Sequence, residues 1–325
     1  MGNSSEAHQD NFPFLHASEW PEGLTRWLVV AMWTTTICLC VLTNTLTLIA
    51  IGRNRVLQTR SYVLVTSLAA ADLVTSVSMT SYLIRGLFLM PLTCHTLYVN
   101  DVLSIVELYG ISLRVFHTVA IAVDRYICVV WPLRYTTMLT SSTMVAMVAA
   151  LWTSSLVVIF AYFSFFFVGE KSACESRINP TFDLNMKVGT SLLISGALFV
   201  CYGRMYAISR QQKKRIAQSN LPNNAEESNK KRERKSTLIM LTVMLSHLVL
   251  WTPHFAVLFI MYAGSRSRIL LRLQPYFTYI GTLNSVTNFG IYTLMNRDMR
   301  VAYAGLLSCE KERSARNIFV VSAWK

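Results

Sequence analysis

Residues Leu103 to Tyr126 read LSIVELYGISLRVFHTVAIAVDRY, an apolar run that carries Glu107, Arg114, Asp124 and Arg125. A charge inside such a run is costly unless it faces a partner or a cavity. Glu107 and Arg114 are seven residues apart, and Arg114 and Arg125 eleven. At roughly 100° per residue all three fall within about 20° of one line along a helix. The 18 residues from Glu107 to Arg125, at about 1.5 Å each, rise roughly 27 Å, close to the hydrocarbon thickness of a bilayer. The stretch predicts a membrane-spanning helix with one ionisable stripe, an acid near one water face and an Asp-Arg pair at the other.

The rest of the chain has the same character. Of 325 residues, 53% are hydrophobic and 14% charged, with a mean hydropathy of +0.40; soluble domains are about 25% charged. Apolar runs recur at about Trp27 to Ile51, Ser61 to Met90, Tyr98 to Val130, Thr143 to Val168, Met186 to Ile208, Thr237 to Tyr262 and Ile269 to Met295. Each is long enough to cross a bilayer as a helix, for which about 20 residues suffice. The expected fold is an all-α membrane protein, a seven-transmembrane helix bundle. Its expected organisation is an extracellular tail over 1–26, a membrane domain over 27–295 with a polar inner loop over 211–235 that is flanked by helical extensions, and a cytoplasmic surface helix and tail over 296–325.

The formal charge of +13 raises the question of nucleic acid, and its distribution excludes it. Most Lys and Arg lie in the segments joining helices 1 to 2, 3 to 4 and 5 to 6 and in the final tail. The positive-inside rule makes that face cytoplasmic and the amino terminus extracellular. A basic inner face suits anionic membrane lipids and an acidic protein partner.

Seven cysteines divide by position. Cys38, Cys40, Cys128 and Cys201 fall within or at the ends of apolar helices, and Cys309 lies in the tail. Cys94 and Cys174 remain outside, where in an oxidising compartment each is the other's only available disulfide partner. Asn3-Ser4-Ser5 is a glycosylation acceptor in the exterior tail. The segment Asn296 to Leu307 carries an apolar edge beside Arg297 and Arg300, which reads as a short helix on the inner membrane surface. Cys309 behind it is a palmitoylation candidate or an ordinary free thiol.

Several helices carry polar marks. Asn44 lies in helix 1 and Asp72 in helix 2, where a lone carboxylate must be neutralised by a proton, an ion or a base. Trp152 in helix 4 reads as packing. Helix 6 holds His247, read as a satisfied core histidine, and Trp251-Thr252-Pro253, where proline removes a hydrogen bond and builds in a pivot. Asn284, Asn288 and Tyr292 in helix 7 need partners inside the bundle. Phe163 to Phe167 reads as lipid-facing packing.

Seven helices with these marks in this order resemble the rhodopsin-like class of G-protein-coupled receptors, over about Trp27 to Cys309. The resemblance rests on Asn44, Leu68-Ala69-Ala70-Ala71-Asp72, Asp124-Arg125-Tyr126, Trp152, Trp251-Thr252-Pro253 and Asn288-Phe289-Gly290-Ile291-Tyr292. It implies a ligand pocket at Glu107, Ile111, Trp251, Thr278 and Thr282. It implies an activation switch of Asp124, Arg125, Tyr126, Tyr202, Glu233, Pro253, Asn288 and Tyr292, in which Arg125 pairs at rest with Asp124 and Glu233. It implies a buried polar centre at Asn44, Asp72, Arg114 and Asn284. The implied partners are a heterotrimeric G protein and an extracellular ligand, an amine, peptide, lipid or odorant-like small molecule.

The departures are specific. Phe289 and Ile194 stand where helices 7 and 5 of the class usually have proline, and His247 replaces a common phenylalanine. Cys94 precedes Arg125 by 31 residues, more than the usual spacing, so the end of helix 3 or its preceding loop is remodelled. Arg114 stands where the class has a small polar residue of a sodium site centred on the helix 2 aspartate. Either it bridges to Asp72 in place of sodium or it turns aside to backbone carbonyls. Glu107 is placed to pair with a cationic amine, with Arg85 or with the basic outer loop. Arg266, Arg268 and Arg272 in that loop attract an acidic ligand or are simply solvated.

No catalytic set, metal-spaced cluster or phosphate loop is expected, so the chain is read as a non-enzyme without cofactors. Helix 7 holds no lysine for a retinal Schiff base. Two rival readings remain, a receptor-like protein that does not signal and a transporter or proton conductor using Asp72, Arg114 and Glu107. The lack of internal repeats counts against the second.

Overall fold

A computed structural model describes residues 23–88, 94–167, 180–218, 224–263 and 267–307. The described residues are almost entirely helical: α1 (Gly23–Arg53), α2 (Arg60–Phe88), α3 (Cys94–Val130), α4 (Pro132–Met138), α5 (Ser141–Phe167), α6 (Pro180–Gln218), α7 (Asn224–Tyr262), α8 (Arg268–Thr282), α9 (Asn284–Met295) and α10 (Arg297–Leu307). Among them, α1, α2, α3, α5, α6 and α7 contain spans long and apolar enough to cross a membrane. In a bilayer every backbone polar group must be satisfied within the span, and the helix does this locally.

The seventh span is where the structure differs from the single run predicted over Ile269 to Met295. It is built from α8 and α9, which meet at Leu283. The Leu283 N–H reaches the carbonyls of both Tyr279 and Ile280 at 3.3 Å. The Thr282 hydroxyl takes the Tyr279 carbonyl at 2.7 Å, a local competition that weakens the helical ladder. Beyond the junction α9 runs unbroken through Phe289, and α6 runs unbroken through Ile194. Neither helix has proline at these positions to remove a backbone donor.

Helical extensions enter the polar segment 211–235 from both sides. α6 continues to Gln218 and α7 begins at Asn224, so helix takes most of it. Lys, Arg, Gln and Glu are good helix formers, and Glu226 and Glu227 precede Lys230 and Lys231 by four residues, the favourable order.

α3 is the central element, packing on α2, α5, α6 and α7. Its approach to α2 is closest at Gly110. A Cβ there would lie 2.3 Å from Ser78 Oγ and 3.3 Å from Thr75 Cα. Bare glycine lets the Thr75 hydroxyl reach the Gly110 carbonyl at 3.2 Å and Ser78 reach that of Val106 at 3.0 Å. Small residues and hydroxyls commonly hold membrane helices together in this way. The outer flanks of α5 and α6 are apolar and exposed, including Phe160, Phe163, Leu193 and Phe199, as expected of lipid-facing surface.

α10 docks under the bundle. Asn296 Oδ1 accepts from the N–H groups of Asp298 and Met299, capping the helix, while its Nδ2 donates to Tyr62 Oη at 2.7 Å. Tyr303 is buried, 2.9 Å from the Thr47 hydroxyl. Phe289, in the position of the missing proline, packs on Tyr303 with ring centroids 4.5 Å apart.

Candidate functional site

The polar residues form three layers along the bundle. In the middle layer Asp72 and Arg114 are both buried, and the guanidinium Nε and Nη2 donate to Asp72 Oδ1 at 3.1 and 3.0 Å. Ser285 of α9 donates to the same oxygen at 2.8 Å. Burying two charges is costly, so each needs the other and further hydrogen bonds. Asn284 turns away from this pair. Its Nδ2 donates to His247 Nδ1 at 3.2 Å, and its Oδ1 accepts from Ser246 at 3.3 Å. Asn44 donates to the Cys40 carbonyl in its own helix at 2.9 Å.

Two small cavities of about 10 Å³ each adjoin the pair, each with room for about one water. One lies between Arg114, Thr118, His247, Asn284 and Asn288. The other is lined by Asn44, Asp72, Asn288 and Tyr292. Asp72 Oδ2, Asn288 Oδ1 and Tyr292 Oη are buried and find no hydrogen-bond partner among the described residues. They gather about this second cavity.

Beside this layer lies a network that the sequence reading missed. His117 is fully buried, with Nδ1 2.7 Å from the Leu113 carbonyl and Nε2 2.7 Å from Ser67 Oγ. A carbonyl only accepts, so Nδ1 carries the proton and Nε2 accepts from Ser67. Ser67 in turn accepts from Trp152 Nε1 at 3.1 Å. The chain Trp152 to Ser67 to His117 to Leu113 ties α5, α2 and α3 together with every donor directed. Trp152 is thus held by packing and one hydrogen bond, and no sequence signal distinguished His117 from an ordinary helix residue.

The second layer surrounds Trp251. Its ring stacks on Phe255 at 5.9 Å and meets His254 edge-on at 5.5 Å. It lies flat against Gly281 of α8, where a Cβ would come within 2.7 to 2.9 Å of three indole atoms. Pro253 lies inside α7 two residues further on. Thr278 donates to the Gln274 carbonyl at 2.9 Å, which leaves His254 Nδ1 to donate to Thr278 Oγ1 at 3.0 Å. The Thr282 hydroxyl is committed to its own helix. Glu107 of α3 is half-buried, its Oε1 2.6 Å from the Ser81 hydroxyl of α2. Ile111 is exposed. The side chain of Arg85, the alternative partner for Glu107, lies outside the described ones.

The third layer is the Arg125 end of α3. Asp124 and Arg125 are buried and paired; Arg125 Nε donates to Asp124 Oδ2 at 2.7 Å. Tyr135 of α4 donates to Asp124 Oδ1 at 3.0 Å and accepts from Arg125 at 3.2 Å. Burial pushes the Tyr135 phenol up to about 12, and the Arg125 charge only partly opposes this. The hydroxyl therefore keeps its proton throughout the physiological range. Tyr126 meets Trp131 edge-on at 6.0 Å, and Tyr202 is half-buried. The Glu233 side chain lies outside the described ones, as do Asn3, Cys174, Cys309 and the side chain of Cys94.

Comparison with known proteins agrees with this arrangement. The family model described as 7 transmembrane receptor (rhodopsin family) matches residues 43–292, from beside Asn44 to Tyr292. The histamine H2 receptor of Rattus norvegicus is 24% identical over 288 residues, covering 85% of this chain and 78% of the relative. The human histamine H2 receptor is 24% identical over 293 residues, covering 84% and 77%. Melanocortin receptor 5 of Rattus norvegicus is 27% identical over 281 residues, covering 83% and 81%. A family match over most of the chain, joined to six helices long and apolar enough to cross a membrane among the described residues and the Asp124-Arg125 end of α3, identifies a multi-pass, non-enzymatic membrane receptor: the chain belongs to the rhodopsin family of seven-transmembrane receptors.

Proposed function

We propose that the protein binds an extracellular ligand between the helix ends around Trp251 and, through α7, activates a heterotrimeric G protein at the Arg125 end. The observation that carries this reading is the latch of Arg125 with Asp124 and Tyr135. Its parts come from two elements, so a shift of α4 relative to α3 releases it. A ligand that favours a displaced α7 biases a two-state element and needs no chemistry. Pro253 leaves the carbonyl four residues before it without an intrahelical donor, which lets α7 bend beside Trp251. The amino terminus lies outside in this reading, and the Arg114 guanidinium takes the place of a cation at Asp72. A Cys94–Cys174 disulfide, a glycan on Asn3 and a lipid on Cys309 complete it.

Nucleotide exchange on a panel of G proteins, measured in membranes without added ligand, tests the core of this reading. Arg125→Ala should abolish exchange that the wild type supports. Tyr135→Phe removes both hydrogen bonds of the hydroxyl and should raise basal exchange at least about fivefold, since each is worth about 1 kcal/mol. Exchange indifferent to Arg125 would sink the latch. Silence across the panel from a receptor at the cell surface would favour the non-signalling reading.

A further inference from the structure

Tyr303 of α10 has no part in the proposed switch, yet both of its partners are walls of a polar cavity. The cavity beside Asp72 is lined by Thr47 of α1 and Phe289 of α9 as well as by Asn288 and Tyr292. Tyr303 lies 2.9 Å from the Thr47 hydroxyl and packs its ring on Phe289, with centroids 4.5 Å apart. The Thr47 hydroxyl already donates to the Thr43 carbonyl at 2.8 Å. A hydroxyl has one proton to give, so Tyr303 is the donor to Thr47. Proline in the place of Phe289 would offer no ring for this contact, so the arrangement depends on a residue in which the chain departs from its class.

The cavity has a volume of about 10 Å³, and the buried Asp72 Oδ2, Asn288 Oδ1 and Tyr292 Oη gather about it without a partner among the described residues. Of the described residues that line it, Phe289 alone is half-buried and the rest are buried. Tyr303 covers that wall. Tyr303 itself is 4% exposed, while Arg300, Val301, Ala304 and Gly305 around it on α10 are exposed. One side chain thus stands between the outer surface of α10 and the polar interior. We propose that Tyr303 is the inner seal of this cavity: its ring on Phe289 and its hydrogen bond to Thr47 close the path by which water from the α10 side would reach Asp72. Closure matters to the ion pair. Opposite charges attract most strongly where water is excluded, and Asp72 and Arg114 are held 3.0 Å apart in such a place. Water admitted past Tyr303 solvates Asp72 Oδ2 and weakens the hold of the carboxylate on Arg114.

The test uses water as its own probe. Purified full-length receptor is given a brief X-ray dose, which makes hydroxyl radicals from the water next to each side chain, and oxidation of Tyr292 is followed by mass spectrometry. Trp33, 2% exposed in a separate cluster with Val29 and Met79, is the control for a folded bundle. In Tyr303→Ala the labelling of Tyr292 should rise roughly tenfold, because the lost ring leaves room for several waters, while Trp33 stays protected. Tyr303→Phe keeps the ring on Phe289 and should stay close to wild type. If Tyr303→Ala loosens the whole bundle, which a rise at Trp33 would report, Tyr303→Leu replaces it with the same expected direction and a smaller rise. Wild-type labelling of Tyr292 in either truncation with Trp33 protected would overturn the seal, and so would a rise in Tyr303→Phe as large as that in the truncation. No G protein takes part, so a receptor silent in nucleotide exchange leaves both outcomes readable.

Discussion

Arg114→Met should destabilise the receptor by about 3–5 kcal/mol, the usual consequence of removing one partner from a buried ion pair. In the native protein Asp72 Oδ1 accepts two bonds from the guanidinium and one from Ser285. Without Arg114 the carboxylate keeps its charge in a buried site with one hydroxyl donor, or takes up a proton. The measurement is melting temperature in detergent together with surface expression. Both should fall in the single variant and largely recover in Asp72→Asn/Arg114→Met, which removes both charges. An Arg114→Met receptor that melts like the wild type would show that the pair contributes nothing. The same pair makes a prediction about sodium. Because the guanidinium occupies Asp72, wild-type exchange should be indifferent to sodium, and Arg114→Ser should gain a sodium-dependent melting temperature. Sodium inhibition of the wild type would exclude the guanidinium as the cation at this site.

Gly281→Val should uncouple the Trp251 layer. The new Cβ alone would lie 2.7 to 2.9 Å from the indole, and the two methyls beyond it cannot fit unless the ring moves. Overpacking of this kind costs roughly 1–3 kcal/mol. The ring cannot relax without giving up its stack on Phe255 and its edge contact with His254. Trp251 is two residues from Pro253, so its displacement acts where α7 can bend. A bias of about 2 kcal/mol moves a two-state equilibrium roughly thirtyfold. Basal exchange in Gly281→Val should therefore differ strongly from wild type, and Trp251→Phe in the same chain should restore the melting temperature by returning volume. Wild-type melting and exchange in Gly281→Val would show that the contact with Gly281 does not position Trp251.

The spans were legible because hydrocarbon imposes a length and a composition on any helix that crosses it, and the runs from Trp27 onward meet both. Asp72, Arg114, Asp124 and Arg125 were legible because a charge in such a run is rare and expensive. Some features depended on local competition invisible in composition. The break at Leu283 arises where the Thr282 hydroxyl takes a backbone carbonyl. Others depended on how helices are rotated about their own axes. That rotation brings Ser285 to Asp72 where Asn284 was expected, and gives Asn284 to His247. It also turns His117 onto Ser67.

By itself, then, the sequence determined the number of spans, the polar stripe of the third helix and the family motifs, because each is a local pattern of hydropathy, charge or spacing. Only the tertiary structure decided which oxygen of Asp72 meets Arg114, that Tyr135 completes the Arg125 latch and that Trp251 lies on a bare glycine. Those outcomes follow from the packing of helices distant in sequence, where a change of one residue in register moves a side chain about 100° around its helix.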